Sequence, residues 1–93
     1  RFIPPWMSYE QFRDEMKTEA RFGTALPDSL IRIRLVAIAD TLGLPPDAKK
    51  IVIKRRKGRP PTITISADYT MHVALPFGRL VPIRFKPSAE EPL

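Results

Sequence analysis

Few side chains in this sequence have the type and spacing to do covalent or acid–base chemistry. Among 93 residues there is one histidine, His72, and no cysteine. Disulfides, thiolate nucleophiles and cysteine-held zinc or iron–sulfur groups are thereby excluded. His72 and Asp68 fall on one face of an alternating stretch, but the rise of an extended chain holds them about 13 Å apart, too far for a catalytic couple. Glu10, Asp14, Glu15 and Glu19 lie among Lys17 and Arg21 at helical spacing and read as surface ion pairs. Gly23, Gly43, Gly58 and Gly78 are isolated and form no phosphate-cradling loop, and no serine sits in a nucleophile elbow. No catalytic residue, metal or cofactor is therefore assigned, and an enzyme is the class with least support.

The cations are the remaining chemical signal. The formal charge is +6, from 16 Lys and Arg against 10 Asp and Glu. Seven cations fall between residues 49 and 59 (Lys49, Lys50, Lys54, Arg55, Arg56, Lys57, Arg59) with no acid among them. Outside that stretch nine cations face ten acids, so the rest of the chain is near neutral. Such a patch suits nucleic acid, anionic lipid or an acidic protein surface, and it equally keeps an exposed hairpin soluble. Its centre, Lys54-Arg55-Arg56-Lys57-Gly58-Arg59-Pro60-Pro61, resembles an AT-hook. In that motif arginine enters the narrow minor groove while Gly and Pro keep the backbone thin. Here the run joins two expected strands, where Gly, Pro and charge also serve a turn.

The elements that would position these groups follow from periodicity. Ser8 to Phe22 is expected as a helix, with Ser8 as N-cap and Gln11 completing a capping box. Tyr9, Phe12, Met16 and Ala20 make its apolar face, and Gly23 its stop. Pro27 to Leu42 is expected as a second helix with the stripe Ile31, Leu35, Ile38 and Leu42, widened by Leu30, Ile33 and Ala37. Being more apolar, it should lie deeper than the first. Gly43 and Leu44 close it. The period then drops from 3.6 to 2. Ile51, Val52 and Ile53 lead a first strand, and residues 56–61 form a turn. Residues 62–75 alternate almost without interruption and predict one long, twisted or bulged strand. Pro76-Phe77-Gly78 turns the chain into a third strand, Leu80 to Phe85, which Pro82 places at an edge. The expected fold class is α+β: two helices on one face of a three-stranded antiparallel meander.

The expected organisation is an arm over residues 1–7, one domain over 8–87, and a flexible tail over 88–93. The longest apolar run, Leu35 to Ala39, is far shorter than a membrane span needs. The opening Arg1-Phe2-Ile3-Pro4-Pro5-Trp6-Met7 combines bulky apolar residues with a Pro-Pro pair that should resist helix formation. Phe2, Ile3 and Trp6 suit a membrane interface, and they also suit an arm packed over the core. The start at Arg1 leads us to expect a longer parent chain.

Taken together, the segments Arg1-Phe2-Ile3-Pro4-Pro5-Trp6, Glu19-Ala20-Arg21-Phe22, Ile31 to Leu44, Ile51-Val52-Ile53, Ile63-Thr64-Ile65 through Tyr69 and Phe85-Lys86-Pro87 resemble a family of bacterial proteins. That family, a domain of unknown function, has a pilin-like N-terminal membrane helix followed by a small extracytoplasmic α/β domain. The basic run and its Gly-Pro tip depart from the family pattern. The resemblance implies a single-span anchor upstream, an inner-membrane attachment, and a periplasmic or surface location. It would place Phe2, Ile3 and Trp6 at the bilayer surface. The function expected from it is a non-catalytic interaction or assembly module, partnered by another protein or by itself. Contact would use the polar strand face (Thr62, Thr64, Ser66, Asp68, Thr70, His72), the basic hairpin or an open strand edge. The alternative is a nucleic-acid-binding domain acting through Lys54, Arg55, Arg56, Lys57 and Arg59. Anionic lipid is a third candidate partner for the same hairpin.

Overall fold

The computed structural model describes residues 4–93. Two helices, α1 (Pro5–Arg21) and α2 (Asp28–Thr41), precede five antiparallel strands. The strands are β1 (Val52–Arg56), β2 (Thr62–Ser66), β3 (Tyr69–Ala74), β4 (Leu80–Phe85) and β5 (Ser88–Pro92). The α+β class is as expected, but the single meander is not. β1, β2 and β5 form a three-stranded sheet in that order, and β3 and β4 form a separate two-stranded ribbon.

The first helix starts earlier than its capping pattern indicates. The Pro4 carbonyl accepts from the Met7 and Ser8 amides at 3.0 and 3.1 Å, and Ser8 is buried inside the helix without capping it. Pro5 occupies the first helical position, where a missing amide hydrogen leaves nothing unsatisfied. The proline pair therefore begins the helix, and Pro5 to Met7 form its first turn. The second helix ends as its sequence implies. Gly43, at φ 70°, donates to Asp40 O and Leu44 donates to Ala39 O, which makes a complete Schellman cap over the buried Leu44.

The burial of the two helices is the reverse of expectation. α1 lies across β5 and β2 and buries Phe12, Met16 and Ala20 among Ile63 and Ile65. α2 packs beside α1 and on the 3-10 turn at Pro46–Lys49, burying Ile31, Leu35 and Ala39 but leaving Ile33 66% exposed. Position over the sheet, not mean hydropathy, decides depth.

The alternating run 62–75 does not form one strand, yet its reading as one extended unit is close to the mark. β2 pairs with β5 from Thr62↔Pro92 to Ser66↔Ser88, and β3 with β4 from Tyr69↔Phe85 to Ala74↔Leu80. These two ladders share one register, with no residue gained or lost between them. They are a single long hairpin interrupted once. Ala67 donates to the Pro87 carbonyl at 3.1 Å, but Pro87 has no amide hydrogen to return the bond. The ladder breaks there, and Pro87 itself is buried.

Residues 88–93, expected as a frayed tail, supply the edge strand β5. Leu93 donates to the Pro61 carbonyl at 2.8 Å and packs against the core. Their polarity suits a strand with one face in solvent, which composition does not separate from a tail.

Candidate functional site

The structure divides the seven cations of the basic stretch into two groups. Lys49 pairs with Asp40, and Lys50 approaches Asp47 at 3.5 Å. Arg55 faces inward from β1 and binds three acceptors on the α1–α2 connection: Gly23 O at 2.7 Å, Leu26 O at 2.9 Å and Asp28 Oδ1 at 2.7 Å. It is a structural staple, unavailable to a ligand while those bonds stand. Lys54 and Arg56 project from the opposite face of β1, and Lys57 and Arg59 lie in the β1–β2 turn. All four are exposed, and none has an ion-pair partner among the described residues. The candidate basic site is thus Lys54, Arg56, Lys57 and Arg59, with Arg55 removed from it.

The polar face assigned to one strand is split by the ladder break. Thr62, Thr64 and Ser66 lie on the outer face of the three-stranded sheet, where Thr64 Oγ1 donates to Glu90 Oε1 at 3.0 Å. Asp68 sits at the break and takes a fork of two hydrogen bonds from Arg84. That bonding, opposed by desolvation and helped further by the charges of Arg84 and Lys86, holds the Asp68 carboxyl below the ordinary carboxylate range. His72 stands exposed across from Pro82, with Thr70 and Ala74 as its neighbours on that face of the strand. Asp68 and His72 are not brought together as a pair. Among the described residues no cluster of His, Asp and Glu is arranged to hold a metal ion. An open cleft at the break is lined by Lys50, Val52, Ser66, Asp68 and Lys86, and a second runs between α1 and β5 beside Arg13, Lys17 and Glu90.

At the base of the ribbon four aromatic rings meet. Tyr69 stacks on Phe85 at 5.5 Å, Tyr9 reaches Phe85 at 5.5 Å, and Phe12 meets Tyr69 edge-on at 6.4 Å. Burial, with a smaller contribution from Tyr9, pushes the Tyr69 phenol up to about 12, and its hydroxyl has no hydrogen-bond partner. Nearby charge is handled differently at Glu19. Its carboxylate is buried in α1 with Arg34 Nε 2.8 Å from Oε1, an ion pair whose N–H is not aligned for a hydrogen bond.

From this base the β3–β4 ribbon projects along a molecule 52 Å long and 22 by 17 Å across. Partners facing each other across an antiparallel pair share a face. Tyr69 and Phe85, Met71 and Ile83, and Val73 and Val81 therefore line one face, which is apolar throughout. Only the Tyr69–Phe85 end of it is roofed by α1. Ile83 is 40% and Leu75 44% exposed, and Phe77 in the turn is 99% exposed, whereas the exposed Leu80 pairs with Ala74 on the opposite face. Sequence reasoning missed this surface because it assigned the whole run to a covered sheet. The available signal was Phe77 inside a Pro-Gly turn, where a large apolar side chain has nothing to pack on.

Of the arm residues, Phe2 and Ile3 lie outside the described residues. Trp6, in the first turn of α1, is 60% exposed. No described helix is long and apolar enough to cross a membrane. Comparison of the chain with protein-family models, with curated proteins and with solved structures finds no match.

Proposed function

We propose that this chain is a non-catalytic interaction or assembly module of the cell envelope, carried by a membrane anchor upstream of Arg1. The observation that carries the interaction half is the β3–β4 ribbon, whose apolar face runs out from the core into solvent and ends in a fully exposed Phe77. Exposed contiguous apolar surface on a small domain marks a contact site, since leaving it in water is unfavourable. The envelope half rests on the resemblance and is supported by the exposure of Trp6 at the start of α1. An indole presented there suits an interface between bilayer and water.

Fractionation of cells expressing the full-length protein tests the reading. The protein should sediment with membranes, resist a high-salt wash, and expose residues 5–93 to protease added from the extracytoplasmic side. Recovery in the soluble fraction, or protection of the domain from that protease, would overturn it.

A second reading is favoured by one specific observation: Lys54, Arg56, Lys57 and Arg59 stand together, exposed and without ion-pair partners among the described residues. Four free cations around a hairpin end suit a phosphate backbone. A salt series on duplex DNA decides it. Phosphate contacts through four cations give a slope of log K against log salt of about −3 to −4, shallower by about 1 for each cation removed. A slope unchanged in Arg59→Ala removes this reading.

A further inference from the structure

We infer that the β3–β4 ribbon is a self-association surface: two copies of this chain pack the apolar faces of their ribbons against each other about a two-fold axis. The inference rests on the interaction-module reading above and names the partner.

Shape is the first argument. The exposed apolar residues are not confined to the tip. They continue down the ribbon from Phe77 through Leu75 to Ile83, with Met71, Val73 and Val81 half-covered beside them. A strip of this kind, about 20 Å long by strand rise, is matched by another strip. Two twisted ribbons laid face to face at about 10 Å bury such strips, as the two sheets of a sandwich do.

Charge is the second. The chain carries a formal +6, but the ribbon contributes little of it: Arg84 is neutralised by Asp68, and Arg79 is its one cation outside an ion pair among the described residues. The free cations Lys57 and Arg59 stand beyond the Thr62–Pro92 end of the long hairpin, and Phe77 beyond the Ala74–Leu80 end. Antiparallel pairing of the ribbons, with the two-fold axis perpendicular to them, puts the two cationic poles at opposite ends, so two basic molecules associate without strong repulsion.

Area is the third. Phe77 alone presents about 150–250 Å². With Leu75, Ile83 and the half-covered Met71, Val73 and Val81 the strip comes to roughly 450 Å² per copy, or about 900 Å² in total, in the range of weak, transient interfaces. A reversible dimer is therefore expected, not an obligate one. The outer edge of β4 and β5 favours faces over edges as well. Pro82 and Pro92 fall at its outward-pointing positions and remove the amides that a pairing strand would need.

The test uses the 93-residue chain in sedimentation equilibrium between 5 and 500 μM, loadings chosen to span about −5 to −7 kcal/mol of association. The weight-average mass should rise from 10.6 kDa toward twice that value. Phe77→Ser with Ile83→Thr should weaken association at least 10-fold, while Val52→Thr, on the outer face of the three-stranded sheet, should not. The chain lacks cysteine, so single cysteines report geometry cleanly. Ile83→Cys should give covalent dimers on mild oxidation and Thr70→Cys, on the opposite ribbon face, should not. Circular dichroism of each variant confirms that it folds. A monomer at all concentrations overturns the inference, as does cross-linking through Thr70→Cys in place of Ile83→Cys. A monomer that floats with phosphatidylcholine vesicles, and loses this in Phe77→Ser, overturns it in favour of a bilayer. None of these failures touches the fractionation result on which the envelope reading stands.

Discussion

Arg55 and Tyr69 both place a polar group against the core, with opposite consequences. The Arg55 guanidinium satisfies two carbonyls and a carboxylate on the α1–α2 connection. Arg55→Ala should lower unfolding free energy by about 1–2 kcal/mol in urea titrations, because three partly exposed acceptors lose charge-assisted bonds that water only partly replaces. Arg55→Lys should recover little of it, since an ammonium cannot present a planar fork. The Tyr69 hydroxyl satisfies nothing. Tyr69→Phe should thus be neutral or stabilising by up to about 1 kcal/mol in the same titration. The pH dependence follows from the raised phenol. An ordinary tyrosine ionises near 10.0, whereas Tyr69 in the folded chain does so near 12. The unfolded chain therefore releases its proton first, and stability fully present below pH 10 is lost as pH rises through 12. Urea midpoints measured across that window should fall more steeply for the natural chain than for Tyr69→Phe.

At the scale of elements, β5 is decisive. It covers the edge of β2 and supplies much of the floor on which α1 rests. Gly23 shows how closely the end of the chain is held. A Cβ there would meet Leu93 Cδ2 at 2.9 Å and Ile63 Cδ1 at 3.0 Å. Truncation after Pro87 should abolish cooperative thermal unfolding, because β2 would lose a partner and Phe12 and Met16 their cover. A chain that still melts cooperatively without residues 88–93 would show that β5 is an accessory. Gly23→Ala should destabilise by about 1–3 kcal/mol through overpacking alone, read from the shift in melting temperature.

For the whole molecule, the separation of free charge and exposed apolar surface between its ends makes a simple prediction. Lys54, Arg56, Lys57 and Arg59 take part in no ion pair among the described residues. Replacing Lys57 and Arg59 by Ser should leave the melting temperature within about 2 °C, or rise slightly at low salt as self-repulsion falls. A large loss would mean that the turn has a structural role like that of Arg55. Turn and ribbon tip lie beyond opposite ends of the long hairpin, so each can be altered without touching the α1 interface.

The sequence by itself determined the local structure: two helices, the Gly43 cap, the switch to a two-residue period, the last turn, β4 and the edge position of Pro82. These are set by short-range sterics and amphipathic spacing, which act within a few residues. Composition likewise excluded cysteine chemistry before any coordinate. Only the tertiary structure decided which apolar residues are covered, because alternation says that a strand has an apolar face but not how far the roof extends. α1 covers that face as far as Tyr69 and Phe85, and beyond them cover falls away through the half-buried Met71, Val73 and Val81 to the exposed Ile83 and Leu75. In the same way a polar terminus became a strand, a proline pair became a helix start, and one arginine of a basic run became a staple. Each outcome depends on a partner distant in sequence, and periodicity carries no information about distant partners.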